Sequence, residues 1–297
     1  MKMKIEALLL IVAVLQDHRV TADEGQIYPL DMALNSVDDQ YVKCTGQMEN
    51  MVDNYYLETE QSSYPKFRTA WEDGKRNAVK PSPENPLNRN HLIAIYVYTD
   101  RTVYADFNND VRIGKSTYKN GNYKWNSLHF LLTDAVQILK TSQDNCYKTY
   151  RGANVNINDQ NVLNTEVRLG SFVSSSTDPE KTRPFGKTSC FEIRTCKGAK
   201  IFKYSKFPHE KEVLIPPYET FKVTKIQRKT ENKNLWWCDS VFTLESYSTR
   251  SDLNCAVVND LSKTFKSTVK CRLNRFNLNE YMNYIYSTRI HYLLHYT

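Results

Sequence analysis

From Leu128 to Leu139 the apolar residues Leu128, Leu131, Leu132, Ala135, Val136 and Leu139 return every three or four positions. That is the stripe of a helix with one face against a core. Asn126, just ahead of it, has the short polar side chain of a good N-cap, so the helix is expected to start after it. An earlier cluster, Phe67, Ala70 and Trp71, has the same spacing and stops at the proline-rich stretch 80–86. The front third is therefore expected to be helical. From Tyr147 onward the texture changes to short apolar runs between turn residues. Segments 167–169, 191–195, 200–202, 213–215, 221–226 and 241–244 read as strands. Helices followed by strands argue an α+β fold, a helical N-terminal part packed on a β core. No internal repeat or low-complexity linker divides the chain.

Composition adds size and compartment. With 297 residues, 40% of them apolar, the chain can bury a substantial core. Its 20 tyrosines suit a β-rich or half-buried aromatic surface. The net charge is +7, with both signs spread throughout and no Lys/Arg block. Nucleic acid is therefore not an expected partner, although mild basicity favours anionic ligands. Lys2 and Lys4 precede an unbroken apolar run from Ala7 to Leu15, and Val20-Thr21-Ala22 resembles a cleavage site. Residues 1–22 are expected to be a secretory leader removed near Ala22, too short in its apolar part to span a bilayer. The segment 281–297 is interrupted by Asn283, Arg289, His291 and His295. It lacks the apolar tail of a lipid-anchor signal, and a freely secreted, extracellular protein is expected.

Seven cysteines, Cys44, Cys146, Cys190, Cys196, Cys238, Cys255 and Cys271, all lie beyond the leader. In an oxidising compartment most should pair, and the odd number leaves one over. There is no C-x-x-C pair and no H-E-x-x-H helix among the six scattered histidines, so no metal site is expected.

The candidate chemistry lies in the second half, in three pieces. They are Tyr150-Arg151-Gly152, the run Ser174-Ser175-Ser176, and Glu210-Lys211-Glu212 followed by Val213-Leu214-Ile215-Pro216-Pro217. Read as a strand entry, the last piece puts both carboxylates on one face about 7 Å apart, with Lys211 on the other. Alone, such a pair is often only a solvated strand face. Arg, Ser and Glu-x-Glu in this order and spacing resemble the arginine-specific ADP-ribosyltransferases, and within them the vertebrate secreted and surface-anchored branch. Asp106-Phe107-Asn108, Val111-Arg112 and Leu131 to Ala135 support the resemblance, which runs from about Cys44 to Cys255.

The resemblance implies an ADP-ribosyltransferase-type α+β fold, with a β-sandwich-like core and an NAD cleft, in a single domain over residues 23–265. Residues 266–297 would form a C-terminal extension. It implies NAD as co-substrate and arginine-bearing proteins as acceptors. Glu212 would stabilise the positive charge that develops on the ribose as nicotinamide leaves. Glu210 would bind the acceptor guanidinium and draw off its proton. Arg151 suits the pyrophosphate, although a structural ion pair is the plain alternative. Ser174 would fix the Glu212 rotamer or meet the ribose, and no histidine is placed to make it a nucleophile. Ser205 and Tyr98 match positions near the dinucleotide, against a loop serine and a core tyrosine as the plain readings. Ser171 departs from the glutamine or glycine common in relatives.

The resemblance also implies the disulfides Cys44–Cys255 and Cys146–Cys196, and Cys190–Cys238 is a guess between neighbouring strands. Three other activities stay open from the sequence. Water in place of the acceptor would make the protein an NAD glycohydrolase, and an idle site would leave a disulfide-stapled binding protein. A toxin of bacterial type fits the leader and cysteines less well.

Overall fold

The computed structural model describes residues 27–259 except 144 and 230. The leader expected at 1–22, the extension expected at 266–297 and Cys271 lie outside the described residues. After one short strand come the helices: α1 (Thr45–Met51), α2 (Leu57–Ser63), α3 (Pro65–Asn77), α4 (Arg89–Thr99), α5 (Tyr104–Ile113), α6 (Lys115–Lys119) and α7 (Asn126–Ser142). A π-helical turn, Val52–Tyr56, joins α1 to α2. Pro65 sits at the start of α3, where its missing N–H costs nothing, and the helix buries Phe67, Ala70, Trp71 and Gly74. A methyl group on Gly74 would stand 2.9 Å from the Ile93 side chain, so glycine is what lets α3 and α4 meet.

The apolar stripe of α7 is buried along its whole length. Its cap differs from expectation. Asn126 is the first helical residue, not the cap, and its side-chain amide donates to the Tyr123 carbonyl at 2.6 Å. Glu60, from α2, does the capping instead. Its carboxylate accepts the backbone N–H of Asn126 at 2.6 Å and of Ser127 at 3.1 Å. A carboxylate there satisfies orphan donors and complements the helix dipole, and no local sequence signal marks it.

Among the described residues there are ten strands, one ahead of the helices and nine after them. β1 (Ile27–Tyr28) pairs with β3 (Asn156–Ile157) in a separate two-stranded ribbon. The remaining strands are β2 (Tyr147–Ala153), β4 (Glu166–Arg168), β5 (Val173–Ser176), β6 (Ser189–Thr195), β7 (Ala199–Lys200), β8 (Glu212–Ile215), β9 (Glu219–Arg228) and β10 (Ser240–Thr249). They form one mixed sheet in the order β4-β9-β10-β6-β2-β5-β8-β7, with only β6 and β10 parallel. The run expected at 200–202 ends early. Ile201 turns the chain, its carbonyl accepting from the N–H groups of both Tyr204 and Ser205.

One apolar cluster contains Val167 of β4, Phe221 of β9, Phe242 of β10, Phe191 of β6, Val173 of β5 and Ile215 of β8. Strands from both ends of the hydrogen-bonded order contribute to it, so most of the sheet shares one core. A second cluster joins Phe172, Ala199, Ile201 and Leu214 to the helices. The sheet has a seam. β2 lies along β6 for its full length but meets β5 at a single residue pair, Tyr150 opposite Ser176.

Among the described residues three disulfides tie this frame: Cys44–Cys255, Cys146–Cys196 and Cys190–Cys238. The first links the helical half to the segment after β10, the second the open ends of β2 and β6. Loops of this length contribute about 3–5 kcal/mol each in the chain-entropy view.

Candidate active site

The seam between β2 and β5 gathers the residues singled out by sequence. Arg151 lies on β2 at the seam, and its guanidinium crosses to β5, donating to the Ser174 carbonyl at 2.6 Å and to the Tyr104 hydroxyl at 3.2 Å. The Ser174 hydroxyl lies 3.4 Å from the Tyr98 hydroxyl. Tyr98 is fully buried. It donates in turn to the Phe172 carbonyl at 3.1 Å and accepts from the Asn108 amide at 3.3 Å. Tyr98 therefore stands in the wall behind Ser174.

β5 and β8 pair antiparallel, with Ser174 opposite Leu214 and Ser176 opposite Glu212. Glu212 opens β8 and is only 4% exposed. The Ser205 hydroxyl, itself buried, lies 3.3 Å from a Glu212 carboxylate oxygen. Burial pushes the Glu212 carboxyl up from 4.5 to about 7. The Ser174 and Ser205 hydroxyls and the Arg151 charge hold it down, while the charge of Glu210 pushes it further up.

Glu210-Lys211-Glu212 does not form the straight strand entry expected from alternation. Pro208–Glu210 is one turn of 3-10 helix, and Lys211 takes the left-handed conformation at φ +52°. The proline favours the turn, and Lys211 is drawn aside by an ion pair to Asp178 at 3.0 Å. Ser176 holds the turn in place by donating to the Glu210 carbonyl at 2.6 Å. Ser176 thus has a positioning role that its place in a serine run does not reveal. The two carboxylates still interact through space, but by a reversal of the chain and not by strand periodicity. Glu212 is fixed in the sheet, and the Glu210 side chain, 22% exposed, sits at the rim.

Two cations lie on the other side of the seam. Arg112, on α5, donates to the Ser171 hydroxyl at 3.1 Å. Desolvation holds its guanidinium below its ordinary value, and the neighbouring Arg151 charge adds to this. Among the described residues neither Arg112 nor Arg151 forms an ion pair with a carboxylate. Two neighbouring guanidinium groups without anionic partners fit a diphosphate. Tyr104, which orients Arg151, carried no sequence signal. Arg112 appeared only as part of a resemblance, and its nearness to Arg151 depends on how α5 docks. Among the described residues no group of His, Cys, Asp and Glu is placed to hold a metal ion. A separate depression of about 250 Å³, lined by Asn154, Arg183, Pro184, Gly186, Lys187 and Trp237, shares no residue with this site.

The seam thus gathers a buried glutamate, a second glutamate at its rim and two neighbouring guanidiniums in one candidate cleft. The chain matches the family model "NAD:arginine ADP-ribosyltransferase" over residues 30–240, and it belongs to that family. It is 34% identical over 272 residues to ecto-ADP-ribosyltransferase 5 of Mus musculus, covering 86% of this chain and 84% of the relative. It is also 34% identical over 267 residues to the GPI-linked NAD(P)(+)–arginine ADP-ribosyltransferase 1 of Oryctolagus cuniculus, covering 83% and 80% respectively. Its fold is similar to the crystal structure of the eucaryotic mono-ADP-ribosyltransferase ART2.2, with a TM-score of 0.65 and 31% identity. That match covers 76% of this chain and 98% of the other. A mutant of ART2.2 in complex with NAD matches with a TM-score of 0.63 at 30% identity.

Proposed function

We propose that this protein transfers a single ADP-ribose from NAD to arginine side chains of extracellular proteins and releases nicotinamide. The observation that carries this reading is the buried Glu212 carboxylate, flanked by the Ser174 and Ser205 hydroxyls, with Glu210 close enough to shift its titration. The relatives named above, one of them solved with NAD, support it.

In this reading the bond between the ribose carbon and the nicotinamide nitrogen breaks, and its electron pair leaves with nicotinamide. The ribose carbon becomes cationic. Glu212, ionised and desolvated, stabilises that charge where water would not, and the serine hydroxyls keep its carboxylate in one orientation. Arg151 and Arg112 bind the diphosphate, and Tyr98 and Tyr104 position Ser174 and Arg151 from behind. The acceptor guanidinium arrives protonated and is a poor nucleophile in that form. Glu210 binds it and takes a proton as the new carbon–nitrogen bond forms. A carboxylate at the rim, reachable by a side chain from outside, suits that role better than the enclosed Glu212.

The apolar run Ala7 to Leu15 behind Lys2 and Lys4, with three disulfides among the described residues, supports a leader over residues 1–22 removed near Ala22 and export to an oxidising, extracellular compartment. The test is incubation of the purified protein with NAD labelled in the adenosine half and agmatine, a small guanidine. Labelled ADP-ribosyl-agmatine and stoichiometric nicotinamide are expected. Free ADP-ribose alone, at every agmatine concentration, would reduce the activity to NAD hydrolysis, and no nicotinamide release would reject the enzyme reading.

A further inference from the structure

The turn between α4 and α5 places Arg101 across the front of the cleft. Arg101 has φ +69°, in the left-handed region that long side chains seldom occupy. The turn is tied to the loop ahead of β8. The Lys206 N–H donates to the Thr99 hydroxyl at 2.9 Å, and the Lys206 ammonium pairs with Asp100. From this anchored turn the Arg101 guanidinium reaches Glu210, donating to its carboxylate at 3.2 Å. It also lies 5.1 Å from the ring centroid of Phe207 and 5.6 Å from that of Phe185. Phe185 is 45% exposed, a large apolar ring left open beside a charged group.

A carboxylate and two aromatic rings are what a protein can best offer a guanidinium: a charge, a planar acceptor and π faces. The three groups come from two turns: Phe185 ends the 3-10 turn Pro179–Phe185, while Phe207 caps and Glu210 ends the turn Pro208–Glu210. The guanidinium now in their midst is the chain's own.

We propose that Glu210, Phe207 and Phe185 form the receiving site for the acceptor guanidinium, and that Arg101 is a built-in competitor for it. The proposal rests on the reading of Glu210 as the acceptor carboxylate. The Arg101 side chain is 63% exposed, so an incoming arginine displaces it by rotation of side-chain bonds, without opening the fold. An exposed ion pair with cation–π support is weak, so Arg101 raises the acceptor concentration required without abolishing transfer. It has no part in cleaving NAD.

The test is steady-state transfer to agmatine by the full secreted chain and its Arg101→Asn variant. Asparagine tolerates the left-handed backbone but has no guanidinium. KM for agmatine should fall about two- to fivefold, the effect of removing one weak competing contact. The values of kcat and of NAD hydrolysis without acceptor should not change. Arg101→Lys, which keeps charge but loses the planar stack, should give an intermediate KM, and Phe185→Leu should raise it. A wild type that transfers to agmatine with the same or a lower KM than Arg101→Asn would overturn the competitor role. Absence of transfer in every variant, with NAD still hydrolysed, would instead remove the transferase reading beneath it.

Discussion

The two glutamates are separated by one residue in sequence but sit in different kinds of place. Glu212 is the first residue of a strand, enclosed, flanked by two serine hydroxyls and opposite a cationic seam. Glu210 ends a single helical turn at the rim, half-open and engaged by an exposed arginine from another loop. The side that would handle NAD is thus built into the sheet, while the side that would handle the acceptor is built from turns. A dinucleotide is always the same ligand and rewards a rigid receptor. Acceptor proteins differ, and loops can vary without disturbing the sheet.

The contrast is broken most severely at Glu212. Glu212→Gln should lower both NAD hydrolysis and arginine transfer by about 100-fold or more, the scale of losing one charge-stabilising group in a desolvated site. Nicotinamide release, with and without agmatine, measures it. Hydrolysis at near wild-type rate would mean that Glu212 does not face the developing ribose cation.

The same substitution should act oppositely on stability. An unfolded glutamate ionises near 4.5, whereas Glu212 in the fold titrates at about 7. Between those values only the unfolded chain is ionised. The neutral carboxyl therefore favours folding fully below the unfolded value, and that contribution is lost as pH rises through about 7. Glu212→Gln should be more stable than wild type at pH 8 by on the order of 1–3 kcal/mol. The gap should close towards pH 4, which denaturant melts at both pH values would measure. Since catalysis needs the ionised form, NAD hydrolysis by the wild type should rise as pH increases through about 7.

A smaller change sharpens the picture. The Ser205 hydroxyl lowers the Glu212 titration point, so Ser205→Ala should move the acidic limb of the hydrolysis profile upward by about half to one pH unit. A purely structural serine would reduce the rate at all pH values and leave the limb in place.

Much of this was legible in the sequence, unevenly. The apolar stripe of α7 and the strand runs marked the α+β architecture because periodicity reports burial directly. Arg151, Ser174, Ser205 and Glu212 stand out in sequence and meet at one seam. What was not legible depends on contacts between distant segments. Glu60 caps α7 from 66 residues away, Tyr104 orients Arg151 from a helix 47 residues earlier, and Arg101 meets Glu210 across 109 residues. Strand alternation also gave the wrong local geometry for Glu210-Lys211-Glu212. Pro208 and the left-handed Lys211 make a turn there, which brings Glu210 to the rim by a different route.

The division of labour between the carboxylates is tested most directly by Glu210→Gln, assayed for NAD hydrolysis and for transfer to agmatine in one reaction. The account predicts loss of transfer by about 100-fold, as for removal of a positioned acid–base group, while hydrolysis stays within a few-fold of wild type. Parallel loss of both activities would show that Glu210 serves the NAD side as well, and would contradict the account.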